Sequence, residues 1–211
     1  MQREERRIEP TPPTMRLSPG PTAQRLSRLA LQSGPISVIP RTLEPGVLKA
    51  LDALPSACLP HIRARSIDAA LRSFGFAPPW LSEWLSDDVV FLARLFKNLV
   101  GAERVLVRLE AIQDNACQRF HTDNVRFRLV TTYRGPGTEW LSSADASILQ
   151  EDHVSLVGKI LRLDRSQVAV MRGARGATAD RPGLLHRSPR IAGSGTTRLF
   201  LAIDDAADHE H

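Results

Sequence analysis

The sequence predicts an α+β protein in which a helical region precedes a β-sandwich or small barrel. Two observations carry this. Between Thr42 and Val100 the apolar residues recur at three- and four-residue spacing, with prolines as breaks, whereas after Gly101 the period changes to two. With 211 residues, 42% hydrophobic and 24% charged, the chain has ordinary globular composition and length enough for one domain with an extension.

Residues 1–34 come first, and Pro10, Pro12, Pro13, Pro19 and Pro21 stand there among polar and charged residues. Such a segment buries too little apolar area to offset ordering entropy, so a disordered Pro/Arg-rich arm is expected. Residues 35–211 are then one domain. Its helical support region, 35–101, divides at Pro45, Pro55, Pro60, Pro78 and Pro79 into about three segments. The first carries Leu48, Leu51 and Leu54, and the second Ile67, Ala70, Leu71 and Phe74. The third runs from Trp80 through Leu85, Phe91, Leu95 and Leu99 to stop near Gly101, with Trp80 and Trp84 as part of its core stripe.

A β-rich region, 102–205, follows. Val105, Val107 and Leu109 alternate with Leu106, Arg108 and Glu110, and Val125–Val130 alternates again. Further strands are expected at Gln167–Met171, Gly183–Arg187 and Arg198–Ile203, with glycine-rich turns at Gly135–Gly137, Gly173–Gly176 and Gly193–Gly195. The stretch Leu141–Lys159 reads as a loop. Residues 206–211 read as a frayed acidic tail bearing His209 and His211.

Several function classes are excluded. No apolar run approaches the ~20 residues of a spanning helix, and Met1–Arg7 is charged with no signal-peptide pattern behind it. No membrane association and a cytoplasmic location are expected. The formal charge is +5, yet the arm holds six arginines against three glutamates and the remainder 22 basic against 20 acidic residues. That distribution argues against a nucleic-acid partner. Cys58 and Cys117 form no disulfide framework and are read as thiols. There is no nucleophile elbow, Walker loop or dinucleotide fingerprint.

The chemistry is carried by histidine and aspartate. His121 and Asp123 open a strand at i and i+2, so their side chains share one face. His186 lies 63 residues beyond Asp123, flanked by apolar residues on another expected core strand. Two neutral imidazoles and one carboxylate on one octahedral face leave three positions open, the arrangement of non-haem Fe(II) oxygenases. Counting onward by twos from Asp123 places Tyr133 on the same interior face, within reach of a bound acid. Cys117 shares that parity, and a Cys117, His121, Asp123 and His186 set would suit zinc; the competing reading is a buried, inert thiol. Glu139 and Trp140, after a Gly-Pro-Gly turn, are either a substrate contact at the rim or a turn with Trp140 tucked into the core.

The order H-x-D, Gly135-Pro136-Gly137-Thr138, then His186 followed by Arg198 resembles the double-stranded β-helix of the iron and 2-oxoglutarate-dependent dioxygenases. Four ordered blocks, Phe120–Val125, Arg128–Tyr133, Gly135–Leu141 and His186–Pro189, resemble the bacterial domain-of-unknown-function family numbered 1826 over residues 40–205. The resemblance implies a jelly-roll or cupin-like barrel, Fe(II) and 2-oxoglutarate as cofactors, and oxidation of an apolar C–H bond. It implies for Arg198, twelve residues after His186, a grip on the far carboxylate of 2-oxoglutarate. Arg190 is a rival for that role, and Arg198 has a competing reading as partner of Asp123, Asp204 or Asp205. Members of the bacterial family are associated with zinc-homeostasis genes, which implies a zinc-binding, non-oxygenase alternative of the same fold. The sequence leaves the substrate, a small molecule or a protein side chain, and the oligomeric state open.

Overall fold

The alternating segments after Gly101 become the long strands of an antiparallel sheet in the computed structural model, which describes residues 30–149 and 160–209 together with Ser27. They are β3 (Val105–Ile112), β4 (Phe127–Arg134), β7 (Val168–Arg172) and β9 (Arg198–Asp205). Two short strands, β1 (Ile36–Ile39) and β2 (Ile62–Ala64), complete a six-stranded order β1-β7-β4-β9-β3-β2. Both lie inside the stretch expected to be wholly helical. Their four and three residues are too short to impose a period of two on the helical spacing around them.

The helices stand where the apolar spacing puts them: α1 (Pro45–Ala53), α2 (Ile67–Arg72) and α3 (Pro79–Val100). Ser66 caps α2 by accepting the Ala69 N–H at 3.1 Å. Pro79 starts α3 at a position that needs no N–H. The helix ends at Gly101, whose φ of 71° places it in the left-handed region while its N–H donates to the Lys97 carbonyl at 2.9 Å. Along α3, Leu81, Leu85, Val89, Leu92, Phe96 and Leu99 form a buried stripe.

The large sheet is buried on both faces. Val107, Leu109, Leu129, Val170, Leu201 and Ile203 pack with the helices, while Val130, Ala169, Met171 and Ala202 meet a second core containing Leu163, Leu184, Trp140 and Phe200. Burial on both faces explains why Val168–Arg172 reads as a continuous buried run. That second core is covered by a smaller sheet, ordered β6-β5-β8, of β5 (Glu139–Trp140), β6 (Leu161–Arg162) and β8 (His186–Arg187). A short helix, α4 (Ser143–Leu149), occupies part of the expected loop 141–159.

Both chain ends differ from the expected arm and tail. Residues 30–33 are helical, with Leu31 buried; the rest of the arm, apart from Ser27, lies outside the described residues up to residue 29. Ala206–His209 forms a 3-10 turn because Ala206 is buried and His209 Nε2 reaches Asp204 Oδ2 at 3.1 Å. Glu210 and His211 lie outside the described residues. None of the described helices is long and apolar enough to cross a membrane.

Candidate metal centre

Backbone pairing builds this site. His121 and His186 form an antiparallel bridge in which each N–H donates to the other's carbonyl at 3.0 Å. Residues directly opposite in such a pair project to the same side, and the two rings lie with centroids 4.6 Å apart. Asp123, two residues on, joins them: its Oδ1 is 3.6 Å from His121 Nε2 and its Oδ2 is 3.1 Å from His186 Nε2. Potential ligand atoms of these three residues all lie within 4.8 Å of one another.

The ring nitrogens have divided roles. His121 Nδ1 is 3.0 Å from the Arg119 carbonyl and His186 Nδ1 is 3.2 Å from the Leu184 carbonyl. A carbonyl accepts only, so in a neutral ring the proton sits on Nδ1 and the Nε2 lone pair faces inward. There it meets a carboxylate whose Oδ2 is buried and accepts no hydrogen bond. Lone pairs converging on an unsatisfied carboxylate oxygen call for a cation between them, either a proton or a metal ion. The neighbouring Asp123 carboxylate raises the His121 pKa against the opposing effect of burial. Burial would raise the Asp123 carboxyl, but the two imidazoles and Arg128 hold it well below the ordinary carboxylate range. The donor set fits a divalent transition metal held by two nitrogens and one oxygen.

Arg198 is the second feature. It starts β9 on the same face as Phe200 and Ala202, and its guanidinium is buried over the Phe200 ring at 4.1 Å. Nε donates to the Pro136 carbonyl at 2.9 Å, and Nη2 donates to Thr138 Oγ1 at 2.8 Å and Thr132 Oγ1 at 3.2 Å. The competing expectation of a partner in Asp123, Asp204 or Asp205 is not met, since no carboxylate among the described residues pairs with it. Burial pushes its pKa down to about 10, so it remains a cation at neutral pH without an anion. Thr138 lies two residues before Trp140, which is the cross-strand partner of His186. The small sheet therefore connects the guanidinium to the histidine pair.

Other expected residues fall elsewhere. Tyr133 faces the helices, not the inner core: its hydroxyl donates to Asp88 Oδ2 at 2.6 Å and its ring meets Trp84 edge-on at 6.3 Å. The count by twos fails because the chain bends at 124–126 between Asp123 and β4, which hands the inner face to Arg128, Val130 and Thr132. Cys117 is exposed and outside the ligand cluster, and its carbonyl accepts the Ser188 N–H at 2.9 Å. Arg190 is exposed. Glu139, next to the core-facing Trp140 in β5, is paired with Arg187 at 2.8 Å and with Arg162. Trp140 packs into the second core.

Sequence reasoning assigned no role to Arg128, Thr132 or Thr138. Thr132 and Thr138 are buried beside Arg198, and Arg128 Nη1 sits 2.6 Å from Asp123 Oδ1. For Arg128 the available signal was an arginine within an otherwise largely apolar strand, since a buried guanidinium needs polar partners.

The family model described as Protein of unknown function (DUF1826) matches residues 20–204. The chain belongs to that family. No curated protein sequence matches it. Among solved structures, a dioxygenase for auxin oxidation from rice is similar with a TM-score of 0.53 at 14% identity, over 87% of this chain and 77% of that one. The corresponding Arabidopsis thaliana enzyme, in a 2-oxoglutarate complex, gives 0.49 at 11% identity over 87% of each chain. A Pseudomonas putida prolyl-4-hydroxylase gives 0.47 at 13% identity over 86% of this chain and 93% of that one. The likeness to the rice enzyme is one of fold, so this member of the family shares the architecture of an oxygenase and carries a candidate His-Asp-His triad on it.

Proposed function

We propose that this protein is an Fe(II)- and 2-oxoglutarate-dependent oxygenase, with His121, Asp123 and His186 as metal ligands on a double-stranded β-helix. The observation that carries the reading is the meeting of two inward Nε2 lone pairs with the Asp123 carboxylate, whose buried Oδ2 is unsatisfied. Bound iron with 2-oxoglutarate would supply dioxygen activation, the 2-oxo acid leaving as succinate and carbon dioxide while one oxygen atom goes to the substrate.

The chain's own residues supply the setting. The carbonyls of Arg119 and Leu184 fix the tautomer and aim of each imidazole. Arg198 offers a buried cation to the far carboxylate of 2-oxoglutarate, as a planar fork suits an acid group. Thr132 and Thr138 hold that fork through Nη2, and Phe200 supports its face. Val130, Ala202, Leu184 and Trp140 keep the space between the sheets apolar, which strengthens the pairing of Arg198 with an anion. A zinc site completed by Cys117 has no comparable support.

Anaerobic titration of the metal-free protein with Fe(II) and 2-oxoglutarate tests this. A visible metal-to-ligand charge-transfer band is expected, lost in His186→Ala and in Arg198→Ala. Tight zinc binding with no 2-oxoglutarate-dependent band would overturn it.

A further inference from the structure

Asp204 is fully buried on the inner face of β9, and three basic side chains converge on it. Arg128 gives Nε to Oδ1 at 2.5 Å and Nη2 to Oδ2 at 2.8 Å. Arg108 Nη2 reaches Oδ2 at 3.2 Å and His209 Nε2 reaches it at 3.1 Å. Arg128 and Asp204 are direct cross-strand partners in the β4–β9 register, so the fork is set by the sheet itself. One nitrogen of Arg128 remains, Nη1, and it lies 2.6 Å from Oδ1 of Asp123. A single planar guanidinium thus joins two carboxylates.

That geometry has two effects on Asp123. It occupies Oδ1, which also lies 3.6 Å from His121 Nε2, and leaves Oδ2 to face His186 Nε2 at 3.1 Å. It also limits the electrostatic penalty: a lone arginine beside Asp123 would repel a divalent cation, but the bidentate partner Asp204 balances its charge.

The turn after β9 holds this arrangement from behind. His209 binds Asp204 directly, while Asp208 Oδ2 accepts the Arg126 N–H at 2.7 Å and its carbonyl accepts Arg175 Nη1 at 3.0 Å. Residues 126 and 173–175 are the segments that clasp Asp123: Gly173 N–H donates to the Arg126 carbonyl at 3.0 Å and Ala174 N–H to the Asp123 carbonyl at 2.8 Å. The turn therefore grips both the backbone and, through Asp204 and Arg128, the side chain of the ligand.

We infer that the Arg128–Asp204 pair, latched by the turn Ala206–His209, positions Asp123 to bind metal through Oδ2 alone, making that turn part of the metal centre. This rests on the triad reading above. Arg128, Asp204 and His209 are positioning residues, because each acts through Asp123.

The test is titration of the metal-free full chain with Co(II), reading the visible ligand-field spectrum and, by chelator competition, the affinity. Thermal unfolding without metal is the control for folding. Arg128→Lys keeps the charge but cannot bridge two carboxylates; it is expected to weaken Co(II) binding by about 10- to 100-fold and to alter the spectrum. His209→Ala is expected to weaken binding by a smaller factor, with His209→Gln, which retains a donor for Asp204, restoring it. Wild-type affinity and spectrum in both Arg128→Lys and His209→Ala would overturn the inference while leaving the triad intact. An unchanged His209→Ala beside a weakened Arg128→Lys overturns the latch and confines positioning to Arg128 and Asp204. Should Arg128→Lys not fold, the His209→Ala and His209→Gln pair decides. A wild-type protein that binds no Co(II) overturns the triad reading, and the latch with it.

Discussion

The Tyr133 hydroxyl donates to Asp88 Oδ2 at 2.6 Å, and Arg41 Nη1 holds the same carboxylate at 2.6 Å and 2.8 Å. This trio, with Tyr133 fully buried and Arg41 and Asp88 half-buried, ties β4 and the chain before α1 to the middle of α3. Burial, together with the Asp88 charge, raises the Tyr133 pKa well above its ordinary value, so the hydroxyl stays a donor. Tyr133→Phe removes a hydrogen bond to a charged group and is expected to cost about 2 kcal/mol in urea unfolding. Metal and 2-oxoglutarate affinity of the folded protein should not change. A weakened 2-oxoglutarate titration would return Tyr133 to the site.

Cys117→Ser should leave metal affinity at the wild-type level, since the thiol is exposed and outside the ligand cluster. Chelator competition with Zn²⁺ and Co(II) checks this. A large loss of affinity for zinc would instead make the sulfur a ligand.

Gly173 passes so close to the carbonyl oxygens of Val125 and Asp123 that an added Cβ would overlap both. Gly173→Ala must therefore displace the backbone that carries the candidate metal ligand Asp123. A fall of about tenfold or more in metal affinity is expected, together with a lower melting temperature. Equal affinity in the folded variant would show that the ligand geometry tolerates the shift.

Burial would raise the Glu139 pKa, but Arg162 and Arg187 outweigh it and hold the carboxyl below its ordinary value of 4.5. A carboxyl depressed by folding contributes stability that is complete above its unfolded pKa and is lost as pH falls through the lower folded one. Wild-type stability should thus decline on acidification below 4.5, and Glu139→Gln should decline less steeply over the same range. Urea midpoints for both proteins near neutral pH and in acid measure the difference; parallel curves would remove Glu139 from the account.

The sequence singles out the candidate triad by i, i+2 parity for one pair and apolar flanks for His186, although His121 makes an isolated bridge and Asp123 lies outside the strands instead of opening one. Their meeting does not follow from parity, since it depends on the His121–His186 backbone bridge. Tyr133 escapes the count by twos because strand alternation does not survive the bend at 124–126. Arg128 and Asp204 lie 76 residues apart, and their partnership follows from the β4–β9 register, which no single segment displays. The helices of the first half are readable from spacing, whereas β1 and β2 borrow their strand character from β7 and β3 alongside them. Propensity decides the long elements, and tertiary pairing decides the short ones.

The strand order also dictates a sequence of events during synthesis. Ile36 opens an edge strand whose partner, Met171, is made long afterwards, so β1 waits unpaired while the helices and the first long strands emerge. His186 follows later still, and with it the second half of the histidine bridge. The segments of the helical layer are therefore all made before the second candidate histidine, while the late strands they pack against are still to come. A chain interrupted before His186 would lack one of the three residues of the candidate metal centre.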